Sequence, residues 1–177
     1  MADHDLHGAD DLFRPTVGDT AHPADRAPPF DLVNQLWVAF FGGFWGLLLF
    51  GLVNARRLGV RSAPRRLLAA TMLGWGLVAA ISIAGLVWAG VDRDLLLRVR
   101  WLFTGGAVLL HFAFVRVLGP AHRAFEARYG SDAHAPSLGW GILSAIVGTL
   151  AEGFVRWAVF LPALHTLGAL LAVRAPA

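Results

Sequence analysis

Long apolar runs alternate with short polar turns along most of this chain. The runs occupy residues 32–53, 66–90, 95–118 and 138–157, and charged residues concentrate between them. A helix needs about 20 apolar residues to cross roughly 30 Å of hydrocarbon. Inside lipid, a helix also satisfies its backbone hydrogen bonds within its own segment. The pattern therefore predicts an all-α integral membrane protein with four transmembrane helices.

One stretch of the chain occurs twice. The sequence Trp-Val-Ala-Phe-Phe-Gly-Gly at 37–43 leads through a basic turn to Leu-Gly-Trp-Gly at 73–76. Likewise, Trp-Leu-Phe-Thr-Gly-Gly at 101–106 leads to Leu-Gly-Trp-Gly at 138–141. A fixed spacing between similar segments is typical of a duplicated structural unit. The four helices are therefore predicted to form a tandem duplicated two-helix hairpin.

These patterns divide the chain into four segments: an acidic extramembrane tail (1–31), a first transmembrane hairpin (32–91), a second hairpin (95–157) and a C-terminal apolar segment (158–177). A single helix from Leu138 to Val173 would be about 54 Å long, too long for one span. We therefore predict that the fourth helix ends near Trp157 and that a short C-terminal apolar helix follows. The alternative is one helix that continues into a partner, and Pro162 would bend either version.

Composition agrees with the membrane class. The chain is 56% hydrophobic with a mean hydropathy of +0.59, above the apolar share of soluble domains. Every basic residue is arginine, which together with abundant alanine suggests a bacterial source. No basic face with interleaved aromatics is visible, which argues against nucleic-acid binding. The absence of cysteine excludes disulfides, thiolate metal sites and cysteine nucleophiles.

Arginine placement predicts an orientation. Positive charge next to membrane spans favours the cytoplasmic side. The basic turn at 56–66 and the loop with Arg123 and Arg128 are therefore expected to be cytoplasmic. A first helix that spans the membrane would then place the N-terminus on the non-cytoplasmic side of a bacterial inner membrane. Four tryptophans would form an aromatic belt at the outer interface: Trp37, Trp88, Trp101 and Trp157.

The tail at 1–31 has too little apolar surface to offset its ordering entropy, so on its own we expect it to be disordered. A partner subunit is the simplest means of holding it. The tail also carries donor types that suit zinc or nickel, in His4, Asp5, His7, Asp10 and Asp11. A solvated acidic tail without metal is the interpretation we prefer.

The main candidate for chemistry is Glu152, a carboxylate within an apolar run, with Arg156 four residues later. This spacing places both side chains on one helix face. A charged residue inside a membrane segment is by default a functional hypothesis. One interpretation is a proton or ion site, and the other is a structural pair near the outer interface, with Arg156 snorkelling beside Trp157.

His111 is the second candidate, as a cofactor ligand or proton relay in the third helix. A bis-histidine haem would need a partner at the same depth, for which His165 is the candidate. A histidine hydrogen-bonded between helices is the alternative. His122 and His134 are assigned to the cytoplasmic loop and expected to be solvated.

Small residues spaced four apart predict close helix contacts. The predicted packing positions are Gly42, Gly46, Gly76, Ala80, Gly141, Ala145 and Gly148. Lipid or pigment against the bulky tryptophans is also compatible with these faces. No cofactor is required by the sequence.

These features favour a non-catalytic membrane subunit that packs against other subunits in a larger complex, such as a respiratory or photosynthetic assembly. No hydrolytic or phosphate-binding motif is present, which argues against an enzyme. The alternative is a small homo-oligomeric transporter or channel that uses Glu152 and Arg156. A single embedded carboxylate and the expectation of unbroken helices weigh against that alternative. A cofactor carrier using His111 is a third hypothesis.

Overall fold

A computed structural model of the chain describes residues 27–89, 93–130 and 133–174. Within those ranges the fold is entirely helical, with α1 at Asn34–Arg57, α2 at Ala63–Ala89, α3 at Arg93–Tyr129 and α4 at Leu138–Arg174. Each of these helices contains a segment long and apolar enough to cross a membrane. The predicted all-helical class with four long apolar helices is confirmed within the described residues. Most of the tail, including the five possible metal ligands, lies outside the described residues.

Helix α1 is broken at Gly43, where φ is 63° and ψ is −156°. We call the part before the break α1a (34–42) and the part after it α1b (44–57). A Cβ placed on Gly51 would lie 3.1 Å from Nε2 of Gln35. In a straight helix these two residues would be about 24 Å apart. The second half therefore runs back alongside the first, so that α1 is a helical hairpin with Gly43 at its tip.

Hydrogen bonds at the base of the hairpin join its two ends. The Phe30 N–H donates to Asn54 Oδ1 at 2.9 Å, and Asn54 Nδ2 donates to the Phe30 carbonyl at 3.0 Å. Arg57 Nη1 donates to the Pro28 carbonyl at 2.8 Å, and its guanidinium covers the Phe30 ring at 3.9 Å. Because Asn54 is fully buried, this base is a packed structure, and the chain enters and leaves the hairpin at the same end of the bundle.

The beginning of α4 lies at that end as well. Asn34 Nδ2 donates to Ser137 Oγ at 2.8 Å, and the Ala135 N–H donates to the Pro29 carbonyl at 3.0 Å. The basic α1–α2 turn, the α3–α4 connection and residues 27–33 therefore share one end, which we call the arginine end. The opposite end, where α2 finishes and α3 begins, we call the far end. The sequence-based prediction that α1 carries the chain across the bundle is wrong, because its chain direction reverses at Gly43.

The hairpin lies at the centre of the bundle, where α1 contacts all three other helices. Glycines bring α4 close to it: a Cβ on Gly42 would lie 2.8 Å from Ala145 Cα, and one on Gly46 would lie 2.7 Å from the Ser144 carbonyl oxygen. A Cβ on Gly148 would collide with the backbone of α1. The backbones of α1 and α4 can approach this closely only because glycine occupies these positions.

Phe44, the first residue after the break, fills the centre of the core. Its ring is fully buried and meets Phe103 of α3 edge-to-face at 6.2 Å. A Cβ on Gly74 would lie 3.1 Å from this ring, and one on Gly106 would lie 2.9 Å from it. Glycines on α2 and α3 therefore make room for the aromatic side chain at the hairpin tip.

Three other predicted packing positions have a different environment. Gly76 and Ala80 are exposed on α2, and a Cβ on Gly76 would meet nothing within 4 Å. Gly141 has only an ordinary van der Waals neighbour, Val38, at 3.7 Å. The α2 stripe therefore faces outward in a single chain, whereas the glycines of α1 and α4 face each other.

The two copies of the repeated sequence do not fold alike at the glycine pair that they share. Gly43 and Gly106 occupy equivalent places in the two copies, yet α1 reverses at Gly43 while α3 continues as a helix through Gly106. The two positions also differ in tertiary packing: Gly43 lies beside the Glu152 carboxylate, whereas Gly106 lies beside Val78 and Phe44.

Two predicted boundaries are also wrong. Helix α3 continues to Tyr129 with Pro120 inside it, so the expected polar loop around Glu126 is helical. Helix α4 continues through Pro162 to Arg174, so no separate C-terminal helix begins after Trp157. Phe160, which lies beyond the predicted end of the fourth helix, packs its ring against Phe103 at 6.1 Å.

Single-cysteine labelling tests the hairpin, since the native chain has no cysteine. We expect Ala27→Cys and Ser62→Cys to react with a membrane-impermeant maleimide from the same side of the membrane. Ala89→Cys, at the last residue of α2, should react from the opposite side. Labelling of positions 27 and 62 from opposite sides would contradict the reversal of α1.

Candidate functional site

The tip of the α1 hairpin meets a buried carboxylate on α4. Glu152 is 5% exposed and lies about 21 Å along α4 from Leu138. Segment α1b rises about 20 Å from Arg57 to the tip, which places the tip at a similar height. The carboxylate and the break in α1 therefore form one site deep inside the bundle.

One oxygen of Glu152 accepts hydrogen bonds from two helices. Trp75 Nε1 of α2 donates to Glu152 Oε1 at 2.9 Å, and Arg156 Nε of α4 donates to the same oxygen at 3.1 Å. The second bond is an ion pair between groups one helical turn apart. Charge-assisted bonds of this kind are stronger than neutral ones. They fix the orientation of the carboxylate and leave its other oxygen directed towards α1.

That second oxygen faces the break. Oε2 lies 3.1 Å from the point where a Gly43 side chain would begin, and the positive φ of Gly43 favours glycine there as well. Among the described residues, Oε2 has no hydrogen-bond donor in good geometry. The Phe44 backbone amide nevertheless faces the carboxylate. Phe44 begins α1b, and the first amides of a helix are unpaired and carry partial positive charge. The start of α1b is thus an electrostatic partner for Glu152.

The carbonyl side of the break has its own partner. The hydroxyl of Thr149 on α4 lies 2.8 Å from the Phe41 carbonyl oxygen and 2.8 Å from the Ala145 carbonyl oxygen of its own helix, so its one proton can be donated to the end of α1a. Carbonyls at the end of a helix lack intrahelical donors and carry partial negative charge. One turn of α4 therefore supplies a donor, Thr149, to the end of α1a and an acceptor, Glu152, to the start of α1b.

Arg156 lies between the Phe103 ring and a cavity large enough to hold water. Its guanidinium lies over the Phe103 ring at 4.0 Å, and its side chain is 26% exposed. A cavity of about 610 Å³ adjoins it and is lined by Arg100, Thr104 and Glu152 among others. Arg100 is close to the start of α3, so this cavity lies between the hairpin tip and the far end of the bundle.

This arrangement can bind and release a proton or a small ion. A carboxylate with one oxygen free of complete hydrogen bonds has an acceptor available for a proton or a cation. The neighbouring guanidinium neutralises the carboxylate when it is ionised, and the cavity provides a path to it. Helix breaks at ion sites are a recurrent feature of membrane transporters.

Sequence reasoning identified the Glu152–Arg156 pair but not its setting. Their (i, i+4) spacing alone predicts the contact. The sequence places the pair near the outer interface and does not predict its contacts with the tip of α1 and with Trp75. The sequence signal for the break is the glycine pair at 42–43 within an aromatic run, which the equivalent pair at 105–106 shares.

His111 is separate from this site. It is 7% exposed in α3, and its Nδ1 has no hydrogen-bond partner among the described residues. The Phe103–Phe160 contact sets the alignment of antiparallel α3 and α4. His165 then lies about 20 Å from His111 along the bundle axis. The fold therefore does not bring the two histidines together for bis-histidine ligation within one chain.

His122 and His134 are not the solvated pair that the sequence suggested. His122 is 5% exposed, and the His134 side chain is 13% exposed. Their rings stack at 4.7 Å with an angle of 11° between planes. The correction has a simple cause: α3 extends to Tyr129 and the chain turns back at Gly130, which places both histidines at the arginine end of the bundle.

No protein-family model, curated protein or solved structure matches this chain. Function must then be inferred from the geometry and chemistry of the site.

Gly43→Ala is expected to destabilise the protein by about 1–3 kcal/mol, because a side chain at this φ and ψ is strained and Oε2 of Glu152 occupies the space. The measurement is thermal or denaturant unfolding in detergent. Gly105→Ala is the matched control: it lies in regular helix with nothing within 4 Å, and alanine there should be neutral or stabilising. Equal effects of the two substitutions would contradict the special conformation of Gly43.

Trp75→Phe keeps the aromatic ring but removes the donor to Glu152 Oε1. We expect a loss of about 1–3 kcal/mol, the usual cost of losing a hydrogen bond to a charged group. Unfolding in detergent should show this loss in the native protein and little of it in a Glu152→Leu background, where no acceptor for the Trp75 N–H remains. Additive effects in that double-mutant cycle would show that the two side chains do not interact.

Proposed function

We propose that this protein is a small proton-coupled membrane transporter, with Glu152 as its proton-binding group and a small anion as its substrate class. The observation that carries the proposal is a buried carboxylate at the break in α1 whose Oε2 has no hydrogen bond of good geometry from the described residues. The proposal favours the transporter alternative over the accessory subunit. The expectation of unbroken helices had weighed against transport, and α1 is broken at Gly43.

The coupling follows from charge balance. Ionised Glu152 holds Arg156 through a hydrogen-bonded ion pair at 3.1 Å. Protonation makes the carboxyl group neutral and weakens its attraction for the guanidinium. Arg156 would then present an unbalanced positive charge to the cavity that Arg100 also lines. An anion entering that cavity would replace the lost negative charge, so that proton and anion bind together.

The hairpin supplies the element that would move. A segment that enters and leaves at one end can tilt without carrying its ends across the membrane. Thr149 and Glu152 contact the two sides of its tip, so a change in Glu152 charge acts directly on the hairpin. Transporters commonly use broken helices to couple ion binding to gating.

We also propose an orientation. The arginine end carries the basic α1–α2 turn and the end of α3, so the positive-inside rule places it in the cytoplasm. The cavity would then open towards the outside of a bacterial inner membrane. Residues 27–33 belong to the arginine end, so the N-terminus would be cytoplasmic. This reverses the orientation expected from a spanning α1.

The accessory-subunit hypothesis remains the second candidate, and the exposed α2 stripe favours it. Gly76 and Ala80 present a small-residue surface that a helix of another subunit or of a second copy could contact closely. Docking of the N-terminal tail on a partner belongs to the same hypothesis. Neither hypothesis assigns the protein an enzymatic activity.

Reconstitution into liposomes tests transport. We expect proton uptake when an inward gradient of a small anion such as chloride, nitrate or phosphate is imposed. A pH-sensitive dye inside the vesicles measures this uptake. Glu152→Gln should reduce uptake to the level of protein-free vesicles. Asp31→Asn is the control: it removes a carboxylate while an amide oxygen can still accept the Val33 N–H, as Asp31 Oδ1 does at 2.9 Å. Uptake that is unchanged in Glu152→Gln would reject the proposal.

A further inference from the structure

A second cluster of ionisable groups lies at the arginine end, where α3 meets the α3–α4 connection. His122 Nδ1 is 3.6 Å from Glu126 Oε2, and His134 Nε2 is 3.7 Å from Glu126 Oε1. The three potential ligand atoms all lie within 4.8 Å of one another. His122 and Glu126 share a helix face at (i, i+4) spacing, while His134 approaches from beyond the turn at Gly130.

These side chains are held in place by their surroundings. The two imidazole rings stack in parallel, and Phe125 packs against His134 at 5.9 Å. His122 is almost completely buried, and its Nε2 has no hydrogen-bond partner within the described part of the chain. The stack keeps the two imidazoles next to Glu126, and one ring would turn out of the stack on binding, because an imidazole nitrogen binds a metal in the plane of its ring.

The donor set matches one chemical class. Two imidazoles and one carboxylate are ligands of Zn²⁺ and of other divalent transition ions. Zinc binds nitrogen and carboxylate oxygen at about 2.0–2.2 Å, which places tetrahedral ligands about 3.3–3.5 Å apart. The two nitrogen–oxygen distances are already close to that range. Arg123 and Arg128 flank the cluster on α3, but both are exposed, so solvent screens their charge.

We propose that His122, Glu126 and His134 form a binding site for a divalent transition ion of the zinc class. Three protein ligands leave one coordination position for water or another ligand. The site is independent of the transport proposal, since it lies at the opposite end of the bundle from the cavity beside Glu152.

An ion bound at this site would stabilise the connection between α3 and α4. His134 belongs to the connection between α3 and α4, and Ala135 in the same connection donates to the Pro29 carbonyl. An ion at the cluster would therefore fasten this connection to α3 and, through Pro29, stabilise the base of the α1 hairpin. Binding should raise the melting temperature of the protein.

Titration of the purified full chain in detergent with Zn²⁺, by calorimetry, is the test. We expect one ion to bind at this site, and we expect the dissociation constant to rise at least about tenfold in His134→Gln and in Glu126→Gln. These two positions are partly exposed, and circular dichroism verifies that the variants are folded. The zinc-dependent rise in melting temperature should be lost in the same variants.

The N-terminal tail needs a control because it also contains histidine. His4→Gln combined with His7→Gln should leave the site and the melting-temperature effect unchanged. Co²⁺ in place of Zn²⁺ gives a second measurement, since its visible absorption reports nitrogen and oxygen ligation. Three outcomes would overturn the proposal: no Zn²⁺ binding, binding that His134→Gln and Glu126→Gln leave unchanged, or binding abolished by the tail variant.

Discussion

The structure depends on how the broken backbone of α1 is satisfied away from water. A helix that stops and restarts exposes unpaired carbonyls on one side of the break and unpaired amides on the other. In an apolar bundle these groups need partners from the protein. Thr149 donates to the carbonyl side, and the Glu152 carboxylate faces the amide side. Helix α4 therefore makes the hairpin possible.

The same constraint explains the packing around the tip. A chain reversal at the centre of a bundle needs room for two helical segments where one was expected. Gly42, Gly46 and Gly148 provide it by allowing backbone contact between α1 and α4, and Gly74 and Gly106 make room for the Phe44 ring. Bulky side chains at these positions would separate α4 from the break. Thr149 and Glu152 could then no longer reach it.

Structural and functional roles therefore converge on Glu152. Its carboxylate accepts hydrogen bonds from Trp75 and Arg156 and faces the start of α1b, so it links three helices. Any process that neutralises it weakens three contacts on three different helices. Because Glu152 contacts three helices, binding of a proton to it can alter the packing of the whole bundle. A proton could reach Glu152 from one end through the adjoining cavity.

The sequence by itself determined the features that depend on short-range geometry and on the solvent. Apolar length predicted four helical segments, because lipid offers no hydrogen-bond partners and a helix pairs most of its backbone groups internally. The Glu152–Arg156 contact followed from (i, i+4) spacing on one helix. Tertiary structure alone decided the reversal at Gly43, since the similar pair Gly105–Gly106 remains helical. It likewise brought His122 and His134 together: their contact depends on where α3 ends and how the chain turns at Gly130, which local spacing does not specify.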